Sequence, residues 1–219
     1  IPLCRCSYGP YSRAMIRNIL FDIGVVLLHL DYGPAMARML PRCDPARRLH
    51  AQKFLSLVER DPMIAEYERG KVDAHDFFRH FAGLTGFRGT YEEFAEIWFD
   101  ILSENRPMIE FARELSRSYA CYLVTNAGPI HIPRLYRTFQ ALDFYRDEAA
   151  SCDLGEVKPD RAFYEKALVK FGIAADTCLL LDDRPENVEG ARACGIRAVR
   201  YTNPAETIAA VRAELGRDK

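Results

Sequence analysis

The sequence has no surplus of charge: its 219 residues carry 30 basic and 31 acidic side chains, for a net charge of −1 at pH 7. No dense basic run stands out, so neither nucleic acid nor an anionic membrane surface is indicated as a partner. The chain also lacks any apolar stretch approaching the roughly 20 residues of a membrane span, and no signal-peptide pattern is visible, which points to the cytoplasm. Internal repeats and low-complexity segments are missing, so solenoid and disordered classes are not indicated. The seven cysteines are odd in number and scattered. They make no disulfide framework, and Cys121, Cys178 and Cys194, in or near apolar runs, read as free thiols of a reducing compartment.

What is present is enough apolar material, 49% of residues, for one sizeable domain or a core domain with a smaller insert. Residues 1–14 show no periodicity, and Met15 opens Met-Ile-Arg-Asn just before the first strand-like run. Residues 1–14 are therefore expected to be an upstream extension, which leaves the Cys4-Arg-Cys6 pair outside the fold.

The organising stretch is Ile19-Leu20-Phe21-Asp22-Ile23-Gly24-Val25-Val26, an apolar strand that stops at one carboxylate. In an open parallel sheet, ligands bind outside the carboxyl ends of the strands, so Asp22 is placed for chemistry. A lone Asp there serves equally well to cap a turn. From about Ala35 to Glu104 the patterns are helical. One segment runs from Asp44-Pro45 to Val58, and another from Asp61-Pro62 to Gly70. A third starts at Asp73, and the last opens with a Thr90-Tyr91-Glu92-Glu93 capping box and carries a Phe94/Ile97/Trp98/Ile101 stripe that reads as core. After Pro107, helices alternate with strands at 120–124, 148–152, 178–181 and 196–201, the signature of a parallel α/β sheet. The expected division is a Rossmann-like α/β core over residues 15–31 and 106–219, with a helical cap over 32–105.

The strand ends carry Asp22, Thr125-Asn126, Lys158 and Asp182-Asp183. A parallel sheet gathers them at one rim. Three carboxylates there repel unless a cation intervenes, and an all-oxygen donor set suits Mg²⁺. One Asp suffices as a helix cap ahead of Pro185, so the second points to metal. A lysine, a hydroxyl and an amide suit the oxygens of a transferring phosphoryl group, and a carboxylate not fully committed to metal can attack phosphorus.

These stretches resemble the four motifs of the haloacid dehalogenase-like hydrolase superfamily: Phe-Asp22-Ile-Gly24, Leu-Val-Thr125-Asn126, Lys158-Pro159 and Leu-Leu-Leu-Asp182-Asp183. Tyr67-Glu68-Arg69-Gly70, Cys152-Asp153-Leu154-Gly155 and Asn187-Val188-Glu189-Gly190 are similar to the branch that holds bacterial sugar-1-phosphate phosphatases and the N-terminal phosphatase domain of soluble epoxide hydrolase. The resemblance implies Asp22 as nucleophile and metal ligand, and the Gly24 carbonyl and Asp183 as further ligands with Asp182 assisting. It also implies that Thr125, Asn126 and Lys158 hold the phosphate of a small phosphorylated substrate. Most phosphatases of the superfamily have a second Asp two residues after the nucleophile as general acid; here that position is Gly24. Its absence favours leaving groups that need little protonation, such as a sugar anomeric oxygen. His29 or Asp31 is an alternative proton source, and Arg69 a candidate substrate contact. The rival readings are a 2-haloacid dehalogenase, which also lacks the second Asp but needs no metal, and a catalytically weak binding module. Oligomeric state is not legible.

Overall fold

The computed structural model describes residues 14–47 and 61–216. The expected extension, apart from Ala14, and most of the segment expected to be helical up to Val58 lie outside the described residues; of that segment only a short 3-10 turn, Pro45–Arg47, is seen.

Five parallel strands form the central sheet: β1 (Asn18–Phe21), β4 (Ala120–Thr125), β5 (Asp147–Ala150), β6 (Cys178–Asp182) and β7 (Arg197–Arg200), in the order β5-β4-β1-β6-β7. Because β1 is central and the chain crosses over it between β5 and β6, the topological switch point falls beside β1. The register sets Phe21 level with both Leu123 and Leu181, so the residues that follow these strands emerge side by side. Both sheet faces are covered, which is why the strands read as continuous apolar runs. Ile19, Phe21, Leu123, Leu179 and Leu181 pack on one face against α5 (Arg106–Leu115) and α10 (Pro204–Gly216). Leu20, Tyr122, Val124 and Leu180 pack on the other against α8 (Arg161–Phe171) and α9 (Pro185–Ala193).

Two short antiparallel strands, β2 (Leu28–Leu30) and β3 (Leu102–Glu104), carry the chain into and out of a helical insert. In the insert, α1 (Tyr32–Met39), α2 (Pro62–Glu68), α3 (Ala74–Thr85) and α4 (Tyr91–Phe99) share a core of Met36, Met39, Phe77, Phe81, Phe94 and Ile97. Its helices start where the sequence signals them: Asp61, Asp73 and Thr90 each accept a backbone N–H of the first turn, and Glu93 completes the capping box. Among the described residues no helix is long and apolar enough to cross a membrane, and Cys121, Cys152, Cys178 and Cys194 are free thiols.

Three elements differ from expectation. β3 was hidden because three residues directly after a helix carry no period. The strand expected over 148–152 ends at Ala150, and Ser151–Leu154 is a helical turn, α7. The helix α6 (Ile132–Thr138) carries Pro133 and basic residues over any apolar stripe.

Asn105 is the clasp between the insert's exit and the sheet. Buried, it donates from Nδ2 to the Val26 carbonyl at 2.8 Å and to the Tyr201 hydroxyl at 3.0 Å, while its N–H donates to the Leu27 carbonyl at 2.9 Å. Asn105→Ala leaves the Val26 carbonyl without that donor, at a cost of about 1–3 kcal/mol. Urea unfolding with an unchanged m value is expected to show a loss of that size; no change would mean that the clasp does not stabilise the fold.

Candidate active site

The rim beyond β4, β1 and β6 holds the expected cluster. Asp22 follows β1, and its N–H donates to the Leu181 carbonyl at 2.9 Å, which ties it to β6. Its Oδ1 accepts from Ile23 N at 2.8 Å and lies 2.9 Å from the Lys158 ammonium. Oδ2 accepts no hydrogen bond from a described residue. One oxygen is therefore held while the other is left without a hydrogen bond from the described residues. The turn beyond is strained: Val25, β-branched, sits at φ 61°, a conformation costing on the order of 1–3 kcal/mol. Val26 N donates to Gly24 O at 2.6 Å and Leu28 N to Ile23 O at 2.8 Å, and these bonds hold the turn in place.

Lys158 is buried and all three of its ammonium donors are used. They go to Val124 O at 3.1 Å, Asp182 Oδ2 at 2.7 Å and Asp22. Asp182 is completely buried and committed to the protein, with Arg184 N and Asn187 Nδ2 on its Oδ1 at 3.0 and 2.9 Å. Asp183 is half-buried beside it. Burial pushes the Asp22 carboxyl up, to about 7, against the pull of Lys158, and burial followed by the Asp182 charge raises Asp183. Burial alone would lower the lysine, but Asp22 and Asp182 hold it above its ordinary value.

One oxygen from each of Asp22, Asp182 and Asp183 falls within a 4.8 Å set, which is the metal-compatible cluster found among the described residues. Three hard carboxylate donors fit Mg²⁺, and three negative charges against one lysine leave a surplus that a divalent cation would neutralise. The saturation of Asp182 makes Asp22 and Asp183 the carboxylates with capacity to spare. The Gly24 carbonyl, expected as a ligand, already accepts from Val26 and has one lone pair left.

Thr125, buried at the end of β4, lines with Gly24 and Asn126 a cavity of about 190 Å³ between rim and insert. Asn126 differs from expectation. Its side chain donates to the Lys158 carbonyl at 2.9 Å and accepts from Lys158 N at 2.8 Å, so its amide fixes the lysine and keeps one N–H donor to spare. The structure does not bring His29 or Asp31 into the cavity. His29 is exposed on β2, and Asp31 is the cap of α1, accepting from Gly33 N at 2.8 Å. Arg69 pairs with Asp160 at 3.0 Å and with Glu66 at 3.6 Å, joining insert to core. Trp98 and Ile101, expected as insert core, line the cavity with Tyr32, Ile64 and Ile132. The stripe is wider than one buried face, and its far edge looks onto the rim.

The sequence reading missed two cavity residues. Glu68 stood out only as part of a motif, and His131 as an isolated histidine. His131 is held neutral by burial, its pKa lowered to about 4, although it bonds to the Trp98 backbone; its Nε2 and Trp98 Nε1 are buried with no hydrogen-bond partner among the described residues.

The stretch that carries Glu68 is clamped to the core. Ser151 Oγ donates to Glu68 O at 2.7 Å, Ile130 N donates to the Tyr67 hydroxyl at 2.9 Å, and Gly128 lies against the Tyr67 ring. Gly70, at φ 68°, packs so closely that a Cβ would sit 2.2 Å from the Cys152 carbonyl oxygen.

The chain is similar to known proteins over most of its length. The model of the haloacid dehalogenase-like hydrolase family matches residues 16–195. The chain is 24% identical over 199 residues to a D-ribitol-5-phosphate phosphatase of Bacteroides thetaiotaomicron, covering 88% of this chain and 95% of that one. It is 28% identical over 168 residues to a sesquiterpene phosphatase of Aspergillus oryzae, covering 75% and 85%. A family enzyme from Bacteroides thetaiotaomicron, solved with magnesium and inorganic phosphate, superposes with a TM-score of 0.71 at 21% identity, over 85% of this chain and 94% of that one.

Gly70→Ala combines left-handed strain of roughly 1–2 kcal/mol with an overpacking clash of about 1–3 kcal/mol against immobile backbone. An unfolding free energy lowered by a total of about 2–5 kcal/mol, read from denaturant unfolding, is expected, and an unperturbed midpoint would contradict the tight approach.

His131 gives a pH signature. Its folded pKa lies below the unfolded value of about 6.5, so the unfolded state binds the extra proton first. Its contribution is complete above about pH 6.5 and is lost as pH falls toward 4, on the order of 3 kcal/mol over that window. Unfolding of wild type and His131→Leu at pH 7 and pH 4.5 should show a smaller acid loss in the variant; equal losses would place the titration elsewhere.

Proposed function

The chain belongs to the haloacid dehalogenase-like hydrolase family, and we propose that it is a Mg²⁺-dependent phosphomonoester hydrolase that works through an aspartyl-phosphate on a small phosphorylated metabolite. The observation that carries this reading is Asp22, with one oxygen fixed by Ile23 N and Lys158 and its carboxylate grouped with those of Asp182 and Asp183, next to Ile23 and Gly24 of the cavity wall. Phosphatase-named relatives spanning most of the chain support it.

Asp22 Oδ2 attacks phosphorus from the sheet side, and the alcohol leaves on the side of the insert, in line. Lys158 favours the ionised form of Asp22 against the pull of burial and faces it as negative charge develops, and the Thr125 hydroxyl is in place for a phosphoryl oxygen. Asn126 holds Lys158 in position. Asp22, Asp183 and the Gly24 carbonyl would hold Mg²⁺, with Asp182 behind them; bound there, the cation supplies charge neutralisation and Lewis-acid polarisation of the phosphoryl group. The helical insert acts as a cap over the cavity. The cap's apolar walls, among them Tyr32, Ile64, Trp98 and Ile132, suit an organic group with an apolar face. Sugar 1-phosphates remain in this class, with aryl and prenyl phosphates beside them. The dehalogenase alternative is disfavoured by the carboxylate cluster, for which a cation-free reaction has no use.

Phosphate release from sugar 1-phosphates, sugar 6-phosphates and aryl or prenyl phosphates is the test. With Mg²⁺ the wild type is expected to turn over at least one class. Chelation should reduce the rate by at least about 10²-fold, and Asp22→Asn by on the order of 10⁴-fold, with an unchanged circular dichroism spectrum. Release that survives either change would overturn the mechanism.

A further inference from the structure

Gly24 leaves the nucleophile turn without a proton donor. Crowding is not the reason, since a Cβ there would meet nothing closer than Leu30 Cδ1 at 3.7 Å. In an in-line displacement the leaving oxygen lies opposite Asp22, on the side of the insert, so its donor is to be sought among cavity residues there.

Of the titratable residues lining the cavity, two are phenols, Tyr32 and Tyr67, too weakly acidic to exchange a proton readily near neutral pH. The Tyr67 hydroxyl is further committed to Ile130 N. His131 is neutral and bonded to the Trp98 backbone, which leaves its Nε2 as an acceptor rather than a donor. The remaining one, and the cavity's single carboxyl, is Glu68. It is half-buried, and its carboxylate makes no hydrogen bond or ion pair with a described residue. Its main chain is fixed to the core by Ser151, between the anchored Tyr67 ring and the tight approach of Gly70.

Resting on the phosphatase reading, we infer that Glu68 is a catalytic residue, the general acid to the leaving group and then the general base to water. In the first half-reaction the Asp22–phosphorus bond forms, the bond from phosphorus to the ester oxygen breaks, and the Glu68 proton passes to that oxygen to give the free alcohol. In the second half-reaction the Glu68 carboxylate takes a proton from water as its oxygen attacks phosphorus. The Asp22–phosphorus bond breaks, and inorganic phosphate, ionised Asp22 and protonated Glu68 are restored. Burial raises the Glu68 pKa, opposed by Arg184, Lys158 and Arg69, the charged groups facing it. These three cations also stabilise the carboxylate left once the proton has gone.

The test compares p-nitrophenyl phosphate, whose leaving group needs no proton, with benzyl phosphate, whose alkoxide does. Glu68→Gln keeps the size of the side chain and the main-chain bond to Ser151. Because kcat/KM reports the steps up to loss of the alcohol, it isolates the acid role. Glu68→Gln is expected to lower kcat/KM for benzyl phosphate by about 10²–10⁴-fold while leaving p-nitrophenyl phosphate within about threefold. In wild type, kcat/KM for benzyl phosphate should fall as pH rises and Glu68 deprotonates, a limb absent with the aryl ester. Equal loss on both esters would make Glu68 a positioning residue, and no loss on either would make it a bystander; both results overturn the proposal. If wild type hydrolyses neither ester, the same comparison is made on whichever sugar or prenyl phosphate it does hydrolyse; release from no ester at all overturns the phosphatase reading itself, a failure distinct from the other two.

Discussion

Everything at the rim depends on one buried ammonium. Bringing an ion-sized charge out of water costs several kcal/mol even after relaxation, and the cost is recovered only where every donor finds a well-placed acceptor. Lys158 meets that condition because three adjacent strands each deliver one acceptor: Val124 from β4, Asp22 from the end of β1 and Asp182 from the end of β6. A register slip in any of the three would orphan a charge. The sheet therefore positions the nucleophile, and the charge network in turn penalises any other alignment of the sheet. Behind Lys158 the same logic continues, with Asn126 gripping its backbone, Asn187 holding Asp182, and the Tyr164 hydroxyl donating to the Asn187 carbonyl at 2.7 Å.

The network is balanced structurally but not electrically. One lysine stands against Asp22, Asp182 and Asp183, and a phosphate ester adds negative charge of its own. Repulsion of that kind opposes binding unless a cation joins the cluster. The protein's hydrogen bonds are spent on Asp182 and on one oxygen of Asp22, which leaves the outward side of Asp22 and the half-buried Asp183 to face it. Tight packing inside and unused carboxylate oxygen outside is the arrangement that lets a metal be admitted without rebuilding the core.

How much of this was legible follows from where each residue sits. Asp22, Thr125, Lys158 and Asp182-Asp183 stand out because polar groups interrupt or follow apolar strands, a contrast visible in one dimension; a parallel sheet then follows from alternating helices and strands, though not the order of its strands. Asn126 was recognised, but its job was not, since a side chain that closes onto the backbone of a residue 32 positions later leaves no local trace. His29 and Asp31 attracted attention by nearness in sequence to Asp22, yet β2 carries them away from the cavity. Glu68 was obscured for the opposite reason. A glutamate followed by an arginine at the end of a short helix reads as a solvated face, and only the contacts of Tyr67, Gly70 and Ser151 show that this end is pressed onto the core.

Moving the carboxyl from the nucleophile turn to the insert changes what the insert does. With an acid two residues after the nucleophile, proton transfer is available whatever the position of the cap. With Gly24 there and the carboxyl on Glu68, protonation of the leaving group and activation of water require the Tyr67-to-Gly70 segment to be seated on Ser151 and Gly128. The seated cap is also what narrows the cavity and excludes bulk water, which strengthens every charge interaction at the rim. Binding energy from the organic part of the substrate, spent against Tyr32, Trp98 and Ile132, thereby helps to hold the proton donor in place. A substrate too small to touch those walls would lose the acid along with the contacts, so selectivity for the organic group and acid catalysis share a single physical device.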